Sequence, residues 1–105
     1  MLAIHRGCQR ELDDLPRGIR EDLADAVARL EEGHVLSMPL SRPMPIIGAG
    51  AHELRFRERS GSYRVAYALL MKGSVVLLHA FKKTTEATSR RDIELARARL
   101  KEIKK

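Results

Sequence analysis

The feature that most constrains the fold is a change of hydrophobic period near residue 52. From there to residue 81 the chain runs through HELRFRE, SYRVAYALL and VVLLHAF, separated by turns at Ser60-Gly61 and Lys72-Gly73. The first two segments alternate between large apolar and polar or small side chains, and this period of two indicates strands. The third is a continuous apolar run, typical of a central strand covered on both faces. The pattern predicts an antiparallel meander of three strands.

Helical periodicity precedes and follows the meander. Residues 15–32 repeat apolar side chains at three- and four-residue spacing, with Asp14 as the expected N-cap and Gly33 as the expected stop. A shorter helical segment is predicted at about residues 6–13, and a final helix from Ser89 to Lys104, where Ser89 and Asp92 fit a capping box. The prolines and glycines between residues 34 and 51 predict a surface connection with at most a short extended piece.

These elements predict an α+β domain over residues 1–105, with two N-terminal helical segments, a small antiparallel β-sheet and a C-terminal helix. We expect the helices to pack on one face of the sheet. Cys8, as the single cysteine, cannot form an internal disulfide, and no Cys/His spacing suits zinc, so a reducing cytoplasm is expected. The longest apolar run, VVLLHAF, is too short to cross a bilayer, and MLAIHRGCQRELDD lacks the apolar core of a signal peptide.

The charge is unevenly distributed along the chain. Residues 1–50 hold six Lys/Arg and eight Asp/Glu, whereas residues 51–105 hold fourteen Lys/Arg and six Asp/Glu. All four aromatic residues also lie in the second half. This asymmetry is typical of a surface that faces a polyanion such as nucleic acid, although a solvated basic surface would give the same numbers.

The arginines of the first hairpin are predicted to share a sheet face. Alternate side chains of a strand point to the same side, so Arg55, Arg57 and Arg64 lie opposite the apolar set that faces the helices. Ala66 and Ala68 share this side and are expected to leave a hollow beside the guanidinium groups. From the third strand we expect Ala80 and Lys82 on the same side, with Lys83 just beyond; Glu53 and Glu58 are partial partners for the charge. Arginine binds phosphate through a planar fork of donors, so the set suggests a phosphate site.

Four segments in this order resemble one family. They are the ELR strand, the YRV-x-Y strand, the LLH-x-F-x-KKT segment and the closing IELA-x-x-R helix. Together they resemble HigB-type toxins of the RelE/ParE superfamily, in particular the phage-derived, Gp49-like branch, over about residues 10–104. The resemblance implies a microbial-ribonuclease-like fold and a metal-independent, cofactor-free endoribonuclease that cuts mRNA in the ribosomal A site. It also implies a helix-turn-helix antitoxin of the HigA type as a partner, with operator DNA bound only through that antitoxin.

The resemblance also implies roles for individual residues. Arg64 matches the arginine that contacts the scissile phosphate, Arg55 matches a basic position of the preceding strand with Arg57 nearby, and Lys82 and Lys83 match the basic pair that stabilises the transition state. The chain departs from RelE in having no tyrosine in TTEATS, residues 84–89, and in having Glu53 and Arg55 where RelE has two lysines. The expected N-terminal strand is short or missing, because only MLAI precedes the first helical segment.

The base and acid for such a reaction are harder to predict. Candidates are Glu53, His52, His79 and a lysine whose pKa is lowered by cationic neighbours. Glu53 and His52, together with Arg57, are also expected to bind the substrate. Glu53 also fits a salt bridge, and His79 fits a buried core histidine. Two other functions stay open at this point, a ParE-like inhibitor of DNA gyrase and a non-catalytic module that binds nucleic acid or antitoxin, because one scaffold can host all three.

Overall fold

The computed structural model describes residues 1–84 and 86–104. Its elements in chain order are β1 (Leu2–Ile4), α1 (Arg6–Asp13), α2 (Arg17–Glu31), β2 (Ser41–Pro43), β3 (Ala51–Glu58), β4 (Gly61–Leu70), a 3₁₀ turn (Met71–Gly73), β5 (Ser74–Lys83) and α3 (Arg90–Lys104). The helix boundaries follow the predicted ones closely. The predicted cap of α2 is wrong, because Asp14 ends α1 and Pro16 occupies the N-cap of α2.

The five strands form one mixed sheet in the order β1-β5-β4-β3-β2. The predicted antiparallel meander is confirmed as β3, β4 and β5, and β2 adds to its outer edge in an antiparallel direction. The N-terminal strand is short, and it pairs with β5 in parallel at Leu2–Ile4. The sheet is therefore mixed, whereas the sequence predicted a purely antiparallel sheet. Among the described residues, no helix is both long and apolar enough to span a membrane.

Hydrophobic cores lie on both faces of the sheet. On one face, α1 and α2 cover Leu54, Val65 and Tyr67. On the other face, α3 places Ala96 and Leu100 against Ala66 and Ala68. The prediction that the helices share one face is wrong, because the apolar stripe of α3 needs its own apolar surface and the small alanine side chains provide one close to the backbone.

Ala66 and Ala68 therefore do not form the floor of a hollow. They are 1% and 0% exposed beneath α3. The helix covers the part of β4 that lies beyond Arg64, so it confines the basic surface to the end of the sheet near the β3–β4 turn. Contacts from α3 to the loop before β3 hold it there, since Arg97 donates to the carbonyl of Ile46 and Lys104 Nζ donates to the carbonyl of Ala49 at 3.3 Å.

Side chains cover the edge of β5 where β1 ends. The amide of Ala80 donates to Glu11 Oε1 at 3.1 Å, and Arg99 Nη1 donates to the carbonyl of Leu78 at 2.9 Å. Arg99 also pairs with the same oxygen of Glu11 at 2.8 Å. A side chain from α1 and one from α3 thus satisfy backbone groups that a neighbouring strand would otherwise bind. Burial raises the pKa of the nearby Cys8 thiol to about 12, which leaves it unreactive.

Candidate nucleic-acid interface

Four cationic side chains meet on one face of the sheet, and we call Arg55, Arg57, Arg64 and Lys83 the arginine face. The register places Arg55 opposite Arg64, Arg57 opposite Ser62, and Ser62 opposite Lys83. Residues directly opposite each other in an antiparallel pair share a face, so these side chains are neighbours. They line an open hollow of about 420 Å³ together with Ser62, Thr84 and Glu86. The predicted grouping of the three arginines is therefore what the structure shows.

The two lysines at the end of β5 point to the opposite faces from those that the sequence predicted. The register between β4 and β5 shifts between Ala66 and Tyr67, whose partners are His79 and Leu77, so Leu78 is an extra residue in a β-bulge. The bulge reverses the alternation that follows, and Lys83 instead of Lys82 reaches the arginine face. Lys82 lies opposite Tyr63 and lines a separate hollow with Glu11. The expected position of Ala80 is wrong for the same reason, because it belongs to the core under α1 and α2.

His52 also lies away from the arginine face. It is paired in register with Tyr67, and the two rings stack with centroids 5.3 Å apart. Tyr67 is part of the core under α1 and α2, so His52 lies on the opposite side of the sheet from Arg64. The structure does not bring this predicted substrate-binding residue to the hollow.

Arg64 is the most buried cation of the arginine face, with 6% of its surface exposed. Its Nη1 donates to the carbonyl of Tyr63 at 3.2 Å, and its Nε lies 3.4 Å from Glu53 Oε1. Burial lowers the pKa of Arg64, as does the charge of Arg55, while Glu53 opposes the shift. The Nε atom is buried and makes no hydrogen bond. Because Nε is buried beside Glu53, an anion in the hollow can be bound only by the terminal nitrogens of this guanidinium group.

Glu53 is the buried partner of Arg64. It is 2% exposed, and its Oε2 accepts a hydrogen bond of 2.5 Å from the hydroxyl of Thr88. Because both carboxylate oxygens face other protein groups, Glu53 acts on Arg64 and has no surface left for the direct substrate contact that the sequence suggested. Thr88 lies in the connection between β5 and α3, and the sequence contains no signal that would pair it with a residue thirty-five positions earlier.

Lys83, like Arg55, is a half-buried member of the arginine face. Burial lowers the pKa of Lys83, and the charges of Arg64 and Arg55 lower it further, against the opposing effect of Glu53 and Glu86. These shifts favour the neutral amine, which can accept a proton. Lys83 therefore combines a position in the hollow with a chemistry that the arginines lack.

His79 lies in a buried polar network behind the arginine face. Its Nδ1 is 2.9 Å from Glu11 Oε1, its Nε2 is 2.7 Å from Asp92 Oδ1, and its ring stacks on Phe81 at 4.7 Å. The predicted capping box holds Asp92 in place, since Ser89 Oγ accepts from the amide of Asp92 at 3.1 Å. His79 is 5% exposed, so it is a core histidine with two carboxylate partners. Within residues 1–84 and 86–104, no cluster of His, Cys, Asp and Glu side chains is arranged to hold a metal ion.

Comparisons with known proteins agree with this geometry. The sequence profile of the family described as phage-derived protein Gp49-like (DUF891) matches residues 10–101. Among curated protein sequences, none matches the chain at a significant level.

Solved structures of E. coli RelE are similar to the chain. The isolated toxin is 22% identical with a TM-score of 0.57, over 82% of this chain and 87% of RelE. A mutant of RelE with two arginines replaced by alanine, in the free state, is 19% identical with a TM-score of 0.57, over 95% and 96% of the two chains. The intact RelBE toxin-antitoxin complex contains a chain that is 18% identical with a TM-score of 0.52, over 81% and 98%. At these identities the structural matches establish the fold.

The profile match covers most of the chain, and the structural matches to RelE extend over 81% or more of it. Both the family resemblance and the predicted fold class are thereby confirmed. This chain belongs to the phage-derived Gp49-like family, and it has the fold of the RelE toxins.

Proposed function

We propose that this protein is the toxin of a type II toxin–antitoxin system and a HigB-type mRNA endonuclease that works on the ribosome. The observation that carries the proposal is the convergence of Arg55, Arg57, Arg64 and Lys83 on one open hollow. Like charges on neighbouring strands destabilise the folded chain unless an anion binds between them. Single-stranded RNA supplies such an anion at every nucleotide, and the hollow of about 420 Å³ is open at the surface.

The chemistry needs no group other than RNA and charged side chains. The 2′-oxygen of a ribose attacks the neighbouring phosphorus in line, a new O2′–P bond forms and the P–O5′ bond breaks. The leaving O5′ takes up a proton from water, and the products are a 2′,3′-cyclic phosphate and a 5′-hydroxyl. Arg64, with Arg55 and Arg57 beside it, stabilises the extra negative charge of the pentacoordinate phosphorus. Glu53 and Thr88 act as positioning residues, because they fix the guanidinium of Arg64 from behind.

Lys83 is the best candidate for proton transfer at the 2′-hydroxyl. Of the four candidate groups from the sequence, Glu53 is buried against Arg64, His52 lies on the other side of the sheet and His79 lies between two carboxylates. Lys83 lines the hollow, and its lowered pKa makes the neutral amine more accessible than that of an ordinary lysine. The arginines cannot take this role, because a guanidinium group keeps its proton at neutral pH.

The partners of the proposed toxin follow from its reaction. It binds mRNA and the ribosome in the cytoplasm, and the ribosome orients the RNA in line. A helix-turn-helix antitoxin of the HigA type binds and neutralises it, and operator DNA is bound only by way of that antitoxin. The structural similarity to the toxin chain of the RelBE complex supports an antitoxin partner. The arginine face is open in the free chain, as such a mechanism of control requires.

The experiment compares wild-type protein with Arg64→Ala and Arg59→Ala in a translating extract. Arg59 is an exposed arginine in the turn of the same hairpin, and it does not line the hollow. We expect wild type and Arg59→Ala to cut a translated reporter mRNA, while Arg64→Ala loses at least about a hundredfold of the cleavage rate. Retained binding of the antitoxin by Arg64→Ala would show that this variant is folded.

Two outcomes would contradict the proposal. If the protein stops supercoiling by purified gyrase while the reporter mRNA stays intact, the ParE-like function replaces it. If expression of the protein without antitoxin slows growth in no host and no transcript is cut, the chain is a non-catalytic binding module.

A further inference from the structure

A second hollow adjoins the arginine face and differs from the first in its far wall. It has a volume of about 250 Å³ and shares Arg55, Arg57, Ser62 and Arg64 with the first hollow, but Pro39 and the buried Phe56 complete its wall. Met38, the residue before it, is 53% exposed, and its sulfur accepts a hydrogen bond from Arg55 Nη1 at 3.3 Å. We call Met38 and Pro39 the apolar ledge. Neither side chain is buried in a core, so the ledge presents its surface beside the basic hollow.

The ledge is fixed in place by the chain on both sides of it. Before it, Leu36 is buried in the core under α2. After it, the amide of Ser41 donates to the carbonyl of Ser37 at 3.0 Å, and the Ser41 hydroxyl lies 2.6 Å from the hydroxyl of Tyr67. The amide of Arg55 also donates to the carbonyl of Leu40 at 2.8 Å. The ledge is therefore held at a constant position relative to Arg55, which suits a preformed binding site.

Proteins that bind single-stranded RNA combine cations for the phosphates with flat or apolar surfaces for the bases. The first hollow offers only the cations, because its other lining residues are polar. The aromatic rings offer little open surface for this role. Phe56, Tyr63 and Tyr67 are buried under the helices, although Phe56 also lines the second hollow, and the ring of Phe81, opposite Arg64 in register, is stacked on His79. The contact with a base must come from another surface next to Arg55 and Arg57.

We propose that the apolar ledge is a nucleobase subsite for a nucleotide that adjoins the phosphate bound at Arg64. The base lies against Met38 and Pro39, with the guanidinium groups of Arg55 and Arg57 along its edge and face. This inference rests on the proposed function, which makes RNA the substrate. It adds that the ledge recognises one nucleobase of that RNA. Because the contact is made by surface area more than by directed hydrogen bonds, it favours the larger purine bases over pyrimidines.

The first test measures which sites are cut. Cleavage positions on a set of translated mRNAs are mapped for wild type, Met38→Ala, Pro39→Ala and Val35→Ala. Val35 belongs to the same loop and is 89% exposed, but it neither lines the hollow, as Pro39 does, nor has a polar atom that could bind Arg55, as Met38 does, so it is a matched control. We expect the ledge variants to keep cutting, with cleavage after or before a purine reduced about tenfold relative to pyrimidine sites. An unchanged distribution of cut sites in both ledge variants would overturn the inference.

The second test measures the base contact without cleavage. A short 2′-O-methyl RNA cannot react, and a single 2-aminopurine in it reports stacking through its fluorescence. Wild type and Val35→Ala are expected to change the fluorescence on binding, and Met38→Ala to bind with much less change. Absence of any change with wild type would refute the subsite. If wild type gives the change but cuts no mRNA in the extract, the proposed endonuclease fails while the base subsite stands.

Discussion

Replacement of Glu11 by glutamine tests how the network behind the arginine face supports the fold. The carboxylate oxygen Oε1 of Glu11 accepts from Arg99 at 2.8 Å, from the amide of Ala80 at 3.1 Å, and lies 2.9 Å from His79 Nδ1. Hydrogen bonds to charged groups contribute about 1.5–3 kcal/mol each, roughly twice as much as neutral ones. The substitution removes the charge from three such contacts. Because the Glu11 side chain is 23% exposed, solvent screens part of their energy, and we expect the free energy of unfolding to fall by about 2–3 kcal/mol.

The pH dependence gives this prediction a distinctive sign. Burial alone would raise the pKa of Glu11, but the hydrogen bonds from Arg99, His79 and the Ala80 amide lower it below its ordinary value of 4.5. The folded state thus binds fewer protons than the unfolded state in this range. The stabilisation is complete above the unfolded pKa and is lost as the pH falls through the folded pKa. The difference between wild type and Glu11→Gln should therefore shrink in acid.

The assay is urea unfolding followed by circular dichroism at pH 7 and at several values below 4.5. Glu21→Gln is the control, because Glu21 is an exposed carboxylate whose ion pair with Arg17 has a separation of 4.0 Å. We expect it to change stability by less than about 0.5 kcal/mol. A Glu11→Gln variant as stable as Glu21→Gln at pH 7, or one whose deficit grows in acid, would refute the reasoning about the edge of β5.

Three further predictions concern the hollow and its supports. Thr88→Val removes the hydroxyl that binds Glu53 and should slow mRNA cleavage severalfold, whereas Thr88→Ser should restore it; equal activity of the two variants would exclude a positioning role for this hydrogen bond. Gly50→Ala should destabilise the fold by about 1–2 kcal/mol more than Gly33→Ala in the same urea assay. Both glycines have positive φ, but only at Gly50 would an added Cβ meet a backbone oxygen, that of Leu69 at 2.7 Å. Binding of an uncleavable RNA, followed by fluorescence anisotropy, should weaken with salt at a slope of about −3 for four phosphate contacts, and Arg57→Ala should reduce that slope by about 0.7; an unchanged slope would place Arg57 outside the interface.

Local patterns in the sequence were sufficient for most of the fold. Alternation along β3 and β4 placed Arg55 and Arg64 on one face, because side-chain direction in a regular strand depends only on position. The caps of α3 and the period of α2 were equally local. The sheet face on which α3 packs could not be predicted from local sequence, because an apolar stripe shows that a helix is buried but not against which surface. Ala66 and Ala68 contained the relevant signal, as small residues that let a helix approach the sheet.

The candidate site was less predictable because two of its features depend on distant contacts. The run VVLLHAF is apolar throughout, so its letters give no alternation that would reveal the bulge at Leu78. The exchange of Lys82 and Lys83 follows from that bulge alone. The contact between Glu53 and Thr88 joins a strand to a loop across the fold, and only the structure brings them together.

Lys82 and Lys83 together provide the most direct test of the central claim that one sheet face binds and cuts RNA. They are neighbours of the same type that point to opposite sides of the sheet, and the bulge determines that Lys83 is the one on the arginine face. Single alanine variants of each are compared by mapping the 5′ ends of a translated reporter mRNA. We predict that Lys83→Ala loses about a hundredfold or more of the cleavage rate and that Lys82→Ala stays near wild type. Loss of cleavage in Lys82→Ala with full activity in Lys83→Ala would contradict the account.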